Sequence, residues 1–286
     1  MNNKITYKLK NKVKIENDVK YLYKPKKKNK DELYKYLEEK NFVNYLPYTK
    51  ISDDYEIYNY IEDTNLPKED KALELMNILS MLHTKTTTYQ EVNIHKIKEL
   101  YETIKKEIDY LKNYYLDIQD YIETKEFMSP AEYLLMRNIS NIHKALNYSS
   151  FKLDSWYKQK ETQKIERIAL IHNNLKINHF LKDNKEYIIS WDKSKKDYII
   201  YDFLTFYKNE YSELEPISLF NLYQSKYKYT KDETLLFQSL IAIPPKVELK
   251  KTNYINVIEV KKIIIYVEKT NKFLSEYYKE EQKTNK

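Results

Sequence analysis

Residues 170–203 read LIHNNLKINHFLKDNKEYIISWDKSKKDYIIYDF, and the rest of the chain is best understood from them. The stretch opens on an apolar run that ends at His172, crosses the polar pair Asn173 and Asn174, and closes on Asp192 and Asp202. By residue type alone it is a strand, a turn and a helix start in an ordinary core. Its order argues for more. Six positions, His172, Asn174, His179, Ser190, Asp192 and Asp202, fall at spacings that are harder to reach by accident than any single match.

That spacing resembles the pattern H-G-D-x-x-x-x-N, a short connection, I-D-[FW]-[DE] and then Y-D-[LF] of the aminoglycoside and choline phosphotransferase-like branch of the protein-kinase fold. His172 holds the first position of the pattern, and Asp192 and Asp202 are kept. Asn174 stands where the resemblance places the catalytic Asp, His179 where it places a metal-binding Asn, and Ser190 where it places a metal-binding Asp. Each departure has a chemical cost. A carboxylate accepts the proton of an attacking hydroxyl and an amide does not, a loss of roughly 10²- to 10⁴-fold in rate. Magnesium requires oxygen ligands in near-octahedral geometry, so the Ser190 hydroxyl and the His179 imidazole weaken such a site twice and leave Asp192 as the obvious anionic ligand. The resemblance gives His172 and Asp202 the role of bracing the loop.

Composition bounds the alternatives. A chain of 286 residues holds one large core or two modest ones, which suits a small lobe packed on a large one. Cysteine is absent, which excludes disulfides, thiolate nucleophiles and cysteine-bound zinc. Glycine is absent too, so no glycine-rich loop brings backbone amides close to a phosphate. The start MNNKITYKLK lacks the apolar run of a signal peptide, and no apolar run is long enough to span a bilayer, so a soluble cytoplasmic protein with no membrane partner is expected. The net charge of +7 raises nucleic acid as a partner, but Arg137 and Arg167 are the only arginines, and arginine is the preferred reader of phosphates and base edges. Nucleic acid is therefore disfavoured. The cluster Lys24, Lys26, Lys27, Lys28 and Lys30 reads as a solvated charge run. The 31 tyrosines fit the codon bias of an AT-rich genome and need not form stacking platforms.

Residues 5–25 are rich in β-favouring side chains broken near Glu16-Asn17-Asp18, as in a small antiparallel sheet. In the resembled fold a lysine at the end of a strand pairs with a glutamate on the next helix, which implies Lys24 with Glu32 or Glu38 on a helix over 31–40 as the nucleotide-contacting pair. A strand over 55–60 leads into IEDTNLPKED, the expected hinge, and then a helix over about 68–83 ends in LSMLHTKT with His83 as a packed or capping residue. A thin polar stretch over 84–90 follows. Ile97, Tyr101, Ile104, Ile108, Leu111, Tyr115, Ile118 and Ile122 then recur at spacings of four and three, a heptad seam that demands a long helix. Ser129-Pro130-Ala131-Glu132 is a capping box opening its partner, whose Leu135, Ile139, Ile142 and Leu146 offer a matching face. An antiparallel hairpin over about 91–160 is the expectation, with an intermolecular coiled coil as its rival. Beyond Asp202 the pattern is helical to about residue 279. There Tyr223, Tyr227, Thr230, Glu233, Leu236, Leu240, Pro244 and Lys246 resemble the tyrosine-led helix pair of the spore-coat kinase-like proteins related to CotS.

The expectation is an α+β, bilobal protein-kinase-like fold: a small antiparallel β lobe over 1–62, with five strands or fewer, and a large, mainly helical lobe over 63–286. The resemblance implies a pseudokinase with a scaffold or interaction role and a protein partner, with no cofactor, in the cytoplasm or the spore coat. The rival is an active small-molecule phosphotransferase that uses ATP and magnesium on a site relocated to Asp192 and Asp183.

Overall fold

The computed structural model describes residues 11–27, 29–249 and 252–284. Residues 5–10 of the expected first strand segment and Lys28 of the lysine cluster lie outside the described residues.

The small lobe begins with β1 (Lys12–Glu16) and β2 (Val19–Pro25), which pair from Glu16 opposite Val19 to Lys12 opposite Tyr23. Two residues, Asn17 and Asp18, make the turn, both at positive φ (49° and 63°). A two-residue hairpin of this hand needs left-handed backbone twice, and in a chain without glycine Asn and Asp tolerate it best. Next come α1 (Asp31–Glu39), β3 (Lys50–Ile51) and β4 (Tyr55–Asn59), and the sheet order is β1-β2-β4-β3. Helix α1 buries Tyr34 and Leu37, with Tyr34 stacked on Tyr45 at 5.0 Å between ring centres.

The large lobe starts with α2 (Lys68–Thr86), longer by three residues than its pattern implies. The polar stretch after it is not a plain connection. Its Thr-Tyr content forms β5 (Thr88–Glu91), which pairs antiparallel with a later strand from Thr88 opposite Ile168 to Glu91 opposite Ile165. Helices α3 (Ile94–Glu123) and α4 (Pro130–Thr162) follow. On α3, Ile97, Ile104, Ile108, Leu111, Tyr115 and Ile122 are buried, and Tyr101 and Ile118 pack at the margin. The capping box at Ser129 and Glu132 is complete in both directions and opens α4. Helix α4 packs on α3 and also on helices near the end of the chain, so the seam is closed within one molecule and the intermolecular coiled coil is not needed to bury it.

Strand β6 (Ile165–Ile171) then crosses the lobe, followed by the hairpin of β7 (Phe180–Lys182) with β8 (Glu186–Ile188), and by β9 (Lys195–Asp197). The second sheet has the order β5-β6-β9. Helices α5 (Ile200–Glu210), α6 (Pro216–Lys226), α7 (Lys231–Ala242) and α8 (Asn253–Thr284) complete the lobe. Helix α7 carries a second full capping box, Thr230 with Glu233. The fully buried Lys160 ties α4 to both β6 and α7, 2.9 Å from Glu166 and 2.8 Å from Asp232. Two of the core tyrosines satisfy their hydroxyls internally: Tyr115 donates to the Pro245 carbonyl at 2.6 Å, and Tyr266 to the Ile241 carbonyl at 2.7 Å. No helix among the described residues is long and apolar enough to cross a membrane.

Candidate functional site

The site grows from the exit of β6. Its last residues, Ala169 to Ile171, are buried, so the chain is held in the core until it reaches His172. Asn173 then turns the backbone in the left-handed region (φ 55°), a conformation Asn tolerates. The turn is held by Asp202, fully buried in the first turn of α5. One carboxylate oxygen accepts from the His172 amide at 2.8 Å and the other from the Asn173 amide at 2.6 Å. His83, from α2, stands with Nε2 3.1 Å from Asp202, and its Nδ1 lies 2.7 Å from the Tyr223 hydroxyl. With Nε2–H donating to the carboxylate, Nδ1 accepts from Tyr223. The tail of α5 holds the same loop farther on: the Ile177 amide donates to Glu210 at 3.1 Å, and Asn209 donates to the Leu175 carbonyl at 3.2 Å. A single helix therefore fixes both ends of the 172–177 turn.

The imidazole of His172 donates from Nε2 to the Ile189 carbonyl at 2.8 Å and meets Trp191 edge to face at 5.0 Å. Complete burial lowers its pKa, against the opposing pull of Asp202. His179, expected at a metal-binding position, donates from Nδ1 to the Asn174 carbonyl at 2.6 Å, so this ring is engaged with the backbone of the turn. Burial pushes the His179 pKa down to about 4, and the Asn174 carbonyl only partly offsets that. Ser190 sits at φ 69° and ψ 46°, a left-handed position for a residue that does not favour it, and leads into the 3-10 turn Trp191–Lys193.

Asp192 has a partner that the sequence reading missed. Lys30, 5% exposed, places its ammonium 3.0 Å from Asp192 Oδ1 and 2.6 Å from Glu56 Oε2, and Glu56 also accepts from the Tyr58 hydroxyl at 2.8 Å. Lys27 is more distant, at 3.8 Å from Asp192. Burial by itself would raise the Asp192 pKa, but the hydrogen-bonded Lys30, with the charges of Lys27 and Lys24 behind it, holds the carboxyl below its ordinary range. Lys30 loses hydration yet ends above the usual lysine value because two carboxylates share it. The lysine run is thus not wholly a solvated face: Lys26 and Lys27 are exposed, and Lys30 is in the core.

The expected pairing of Lys24 with a helix glutamate is not formed. Glu32 is exposed on α1, and Glu38 accepts from the Tyr45 hydroxyl at 2.8 Å. Lys24 makes no ion pair among the described residues; its ammonium lies over the Tyr58 ring at 5.2 Å, and burial lowers its pKa while Asp192 pulls the other way. Asp183, on the β7–β8 turn, accepts from the Lys185 amide at 2.8 Å. Glu56, inside the apolar strand YEIYN, was the one available sequence signal for this cluster, since a lone acid on a buried strand calls for a cation.

Lys24, Lys30, Ser190 and Asp192 border a cavity of about 20 Å³, room for a single water. Beside it a larger cleft of about 800 Å³ lies between the β1–β2 hairpin and the large lobe, with Val13, Leu22, Tyr60, Leu181 and Ile189 on its walls.

No protein-family model and no curated protein sequence matches the chain. Solved structures do. The aminoglycoside phosphotransferase of Alicyclobacillus acidocaldarius is similar with a TM-score of 0.67 at 10% identity, over 94% of this chain and 90% of its own. The spectinomycin phosphotransferase APH(9)-Ia in complex with ADP and spectinomycin gives 0.52 at 15% identity, over 90% and 87%. At such identities the likeness establishes the fold alone: a small antiparallel-sheet lobe on a larger helical lobe, as in these phosphotransferases.

Proposed function

We propose that this chain is a pseudokinase, a phosphotransferase fold that has given up phosphoryl transfer and serves as an interaction or scaffold module for a protein partner. The observation that carries the reading is the Lys30 ammonium lodged between Asp192 and Glu56. The acidic side chain best suited to a metal is already neutralised by a cation of the chain itself. The other candidate ligands do not suit magnesium. Ser190 is a neutral hydroxyl, and the His179 ring is engaged with the Asn174 carbonyl. Asn174 orients but does not deprotonate. What endures is the brace: Asp202, His83 and the two loop amides keep the turn in shape although its chemistry is gone. The alternative of a metal relocated to Asp192 and Asp183 gains little support, because no group of three or more His, Asp or Glu placed to hold a metal occurs among the described residues. A spore-coat setting rests on the resemblance of residues 223–247 and belongs to the same proposal.

Calorimetric titration with ATP, with and without magnesium, tests the reading, together with a radiolabelled phosphotransfer assay on amino sugars, choline-like alcohols and proteins. Very weak binding, indifferent to magnesium, and no transfer are expected. Turnover by the unmodified chain that Asp192→Ala abolishes would overturn it.

A further inference from the structure

Of the two sides of the small-lobe sheet, one faces α1 and the other faces away from it. Glu56 and Tyr58 of β4 accept from the Lys30 ammonium at the entry to α1, which marks their side. Strand side chains alternate, so Tyr55 and Ile57 belong to the opposite side. The register fills in the rest of it: Lys12, Tyr23, Ile57 and Lys50 stand in one row across all four strands, and Lys14, Tyr21 and Asn59 in the next. Lys12, Lys14 and Lys50 are exposed, and Tyr21, Tyr23 and Tyr55 are half-buried. Ile57, 8% exposed, closes the floor between Tyr23 and Lys50.

The cations stand on the two edge strands, β1 and β3, and the tyrosines on the inner ones, β2 and β4. Each lysine reaches over a ring: Lys14 lies 4.5 Å from the centre of Tyr23, Lys12 5.8 Å from Tyr55 and Lys50 5.9 Å from Tyr21. Tyr23 and Tyr55 meet edge to face at 6.0 Å, and the Tyr23 hydroxyl donates to Glu16, which holds that ring in place. Glu16 is the one acid among the strand residues of this side, against three lysines. Lys12 and Lys14 are about 7 Å apart along β1, and Lys50 is about 14 Å across the sheet from Lys12, so positive charge flanks the aromatic strip on both margins. An exposed lysine over a tyrosine ring is weakly held, and the same ammonium pairs more strongly with a phosphate. The ring face it vacates is one on which a base can stack.

We propose that this side of the sheet binds single-stranded nucleic acid, with bases on the rings of Tyr21, Tyr23 and Tyr55 and phosphates on Lys12, Lys14 and Lys50. One base for each ring gives a footprint of about three nucleotides. A duplex hides the faces of its bases and is a poorer ligand. The scarcity of arginine, which disfavours reading of base edges, does not oppose stacking, because every base has a π-face; binding is therefore tolerant of sequence. The site lies on the side of the sheet away from Lys30 and Asp192. It goes beyond the pseudokinase reading and does not rest on it.

The full chain is titrated by fluorescence anisotropy with a labelled single strand of about 12 nucleotides. An abasic strand of that length, the duplex and an oligoglutamate peptide are titrated beside it. The single strand is expected to bind best. In the triple variant Lys12→Gln, Lys14→Gln, Lys50→Gln, the slope of log K against log salt should fall in magnitude by about 2, at about 0.7 for each lost phosphate contact. Tyr21→Leu should weaken the single strand by about tenfold and leave the abasic strand unchanged. The three lysines are exposed, so the triple variant should melt with the wild type and remains readable even where a tyrosine variant fails to fold. A further measurement needs no variant: ultraviolet cross-linking and peptide mapping should place the strand on residues 12–25 or 50–59. The proposal is overturned if the single strand fails to bind at about 100 µM, the weak end of non-specific association, in low salt. It is equally overturned if the abasic strand, the duplex or oligoglutamate binds as tightly, if the triple variant keeps the wild-type slope, or if the cross-links fall elsewhere.

Discussion

His83 and Asp202, 119 residues apart in the chain, meet at 3.1 Å in the interior with neither side chain exposed to solvent. The same carboxylate takes the amides of His172 and Asn173. A buried charge normally demands a cation or several donors, and Asp202 is held by three N–H groups converging from α2 and the loop.

Removing that acceptor should therefore be felt in stability. Asp202→Ala leaves these donors unpaired and is expected to cost about 1–3 kcal/mol, read from urea melts of the two proteins. A midpoint equal to that of the wild type would mean that the loop does not depend on the brace.

Lys30 makes a sharper case, because two carboxylates share its one ammonium. Lys30→Met should destabilise by about 3–5 kcal/mol at neutral pH, the usual penalty for breaking a buried ion pair from one side. Pairing it with Glu56→Leu should recover part of the loss, since the uncompensated buried charge then goes as well. If Lys30→Met unfolds at the wild-type denaturant concentration, the ammonium is not the counter-ion of this cluster.

The pH dependence has two windows with one sign. His179 titrates at about 4 in the folded protein and near 6.5 when unfolded, so between those values the unfolded chain binds more protons. Its contribution is complete above about pH 6.5 and is lost as pH falls towards 4. Asp192, held below its ordinary value, contributes above the unfolded aspartate pKa of about 3.9, and that share is lost in more acid solution. Stability by urea melt should accordingly decline from pH 7 to pH 4, and less steeply in His179→Gln. Parallel curves for the two proteins would exclude His179 as the source.

Backbone strain offers an improvement. Ser190 occupies the left-handed region, where a residue with a Cβ loses roughly 1–2 kcal/mol, so Ser190→Gly should raise stability by about 1 kcal/mol after the entropy of the more flexible unfolded chain is counted. Asn173→Gly, at φ 55°, should change little because Asn already suits that region. Thermal melts that rank the two variants the other way would contradict the assignment of strain to Ser190.

Local rules were legible in the sequence and distant pairings were not. The heptad seam of α3 and the capping box at Ser129 depend on residues within a turn or two of one another, and both form as their spacing implies. The turn at His172 and its contact with Asp202 followed from the resemblance of a spaced motif. Lys30 could not be told from Lys24 or Lys27 along the chain, because its burial depends on Glu56 across the sheet and Asp192 from the other lobe. The strand β5 reads along the chain only as a polar stretch, because its partner β6 lies two long helices further on. Glu210 was overlooked for the same reason, since its acceptor role depends on how α5 lies beside the loop.

The Lys30 bridge also has a consequence for regulation. A dissolved ion between two lobes comes and goes with its concentration, and whatever depends on it follows the supply of that ion. An ammonium attached to the backbone has no dissociation constant. It sits between Glu56 and Asp192 as part of the chain, and protonation of the two carboxylates in acid would weaken its hold. On the proposed reading, the placement of Glu56 against Asp192 therefore does not follow the concentration of any dissolved ion.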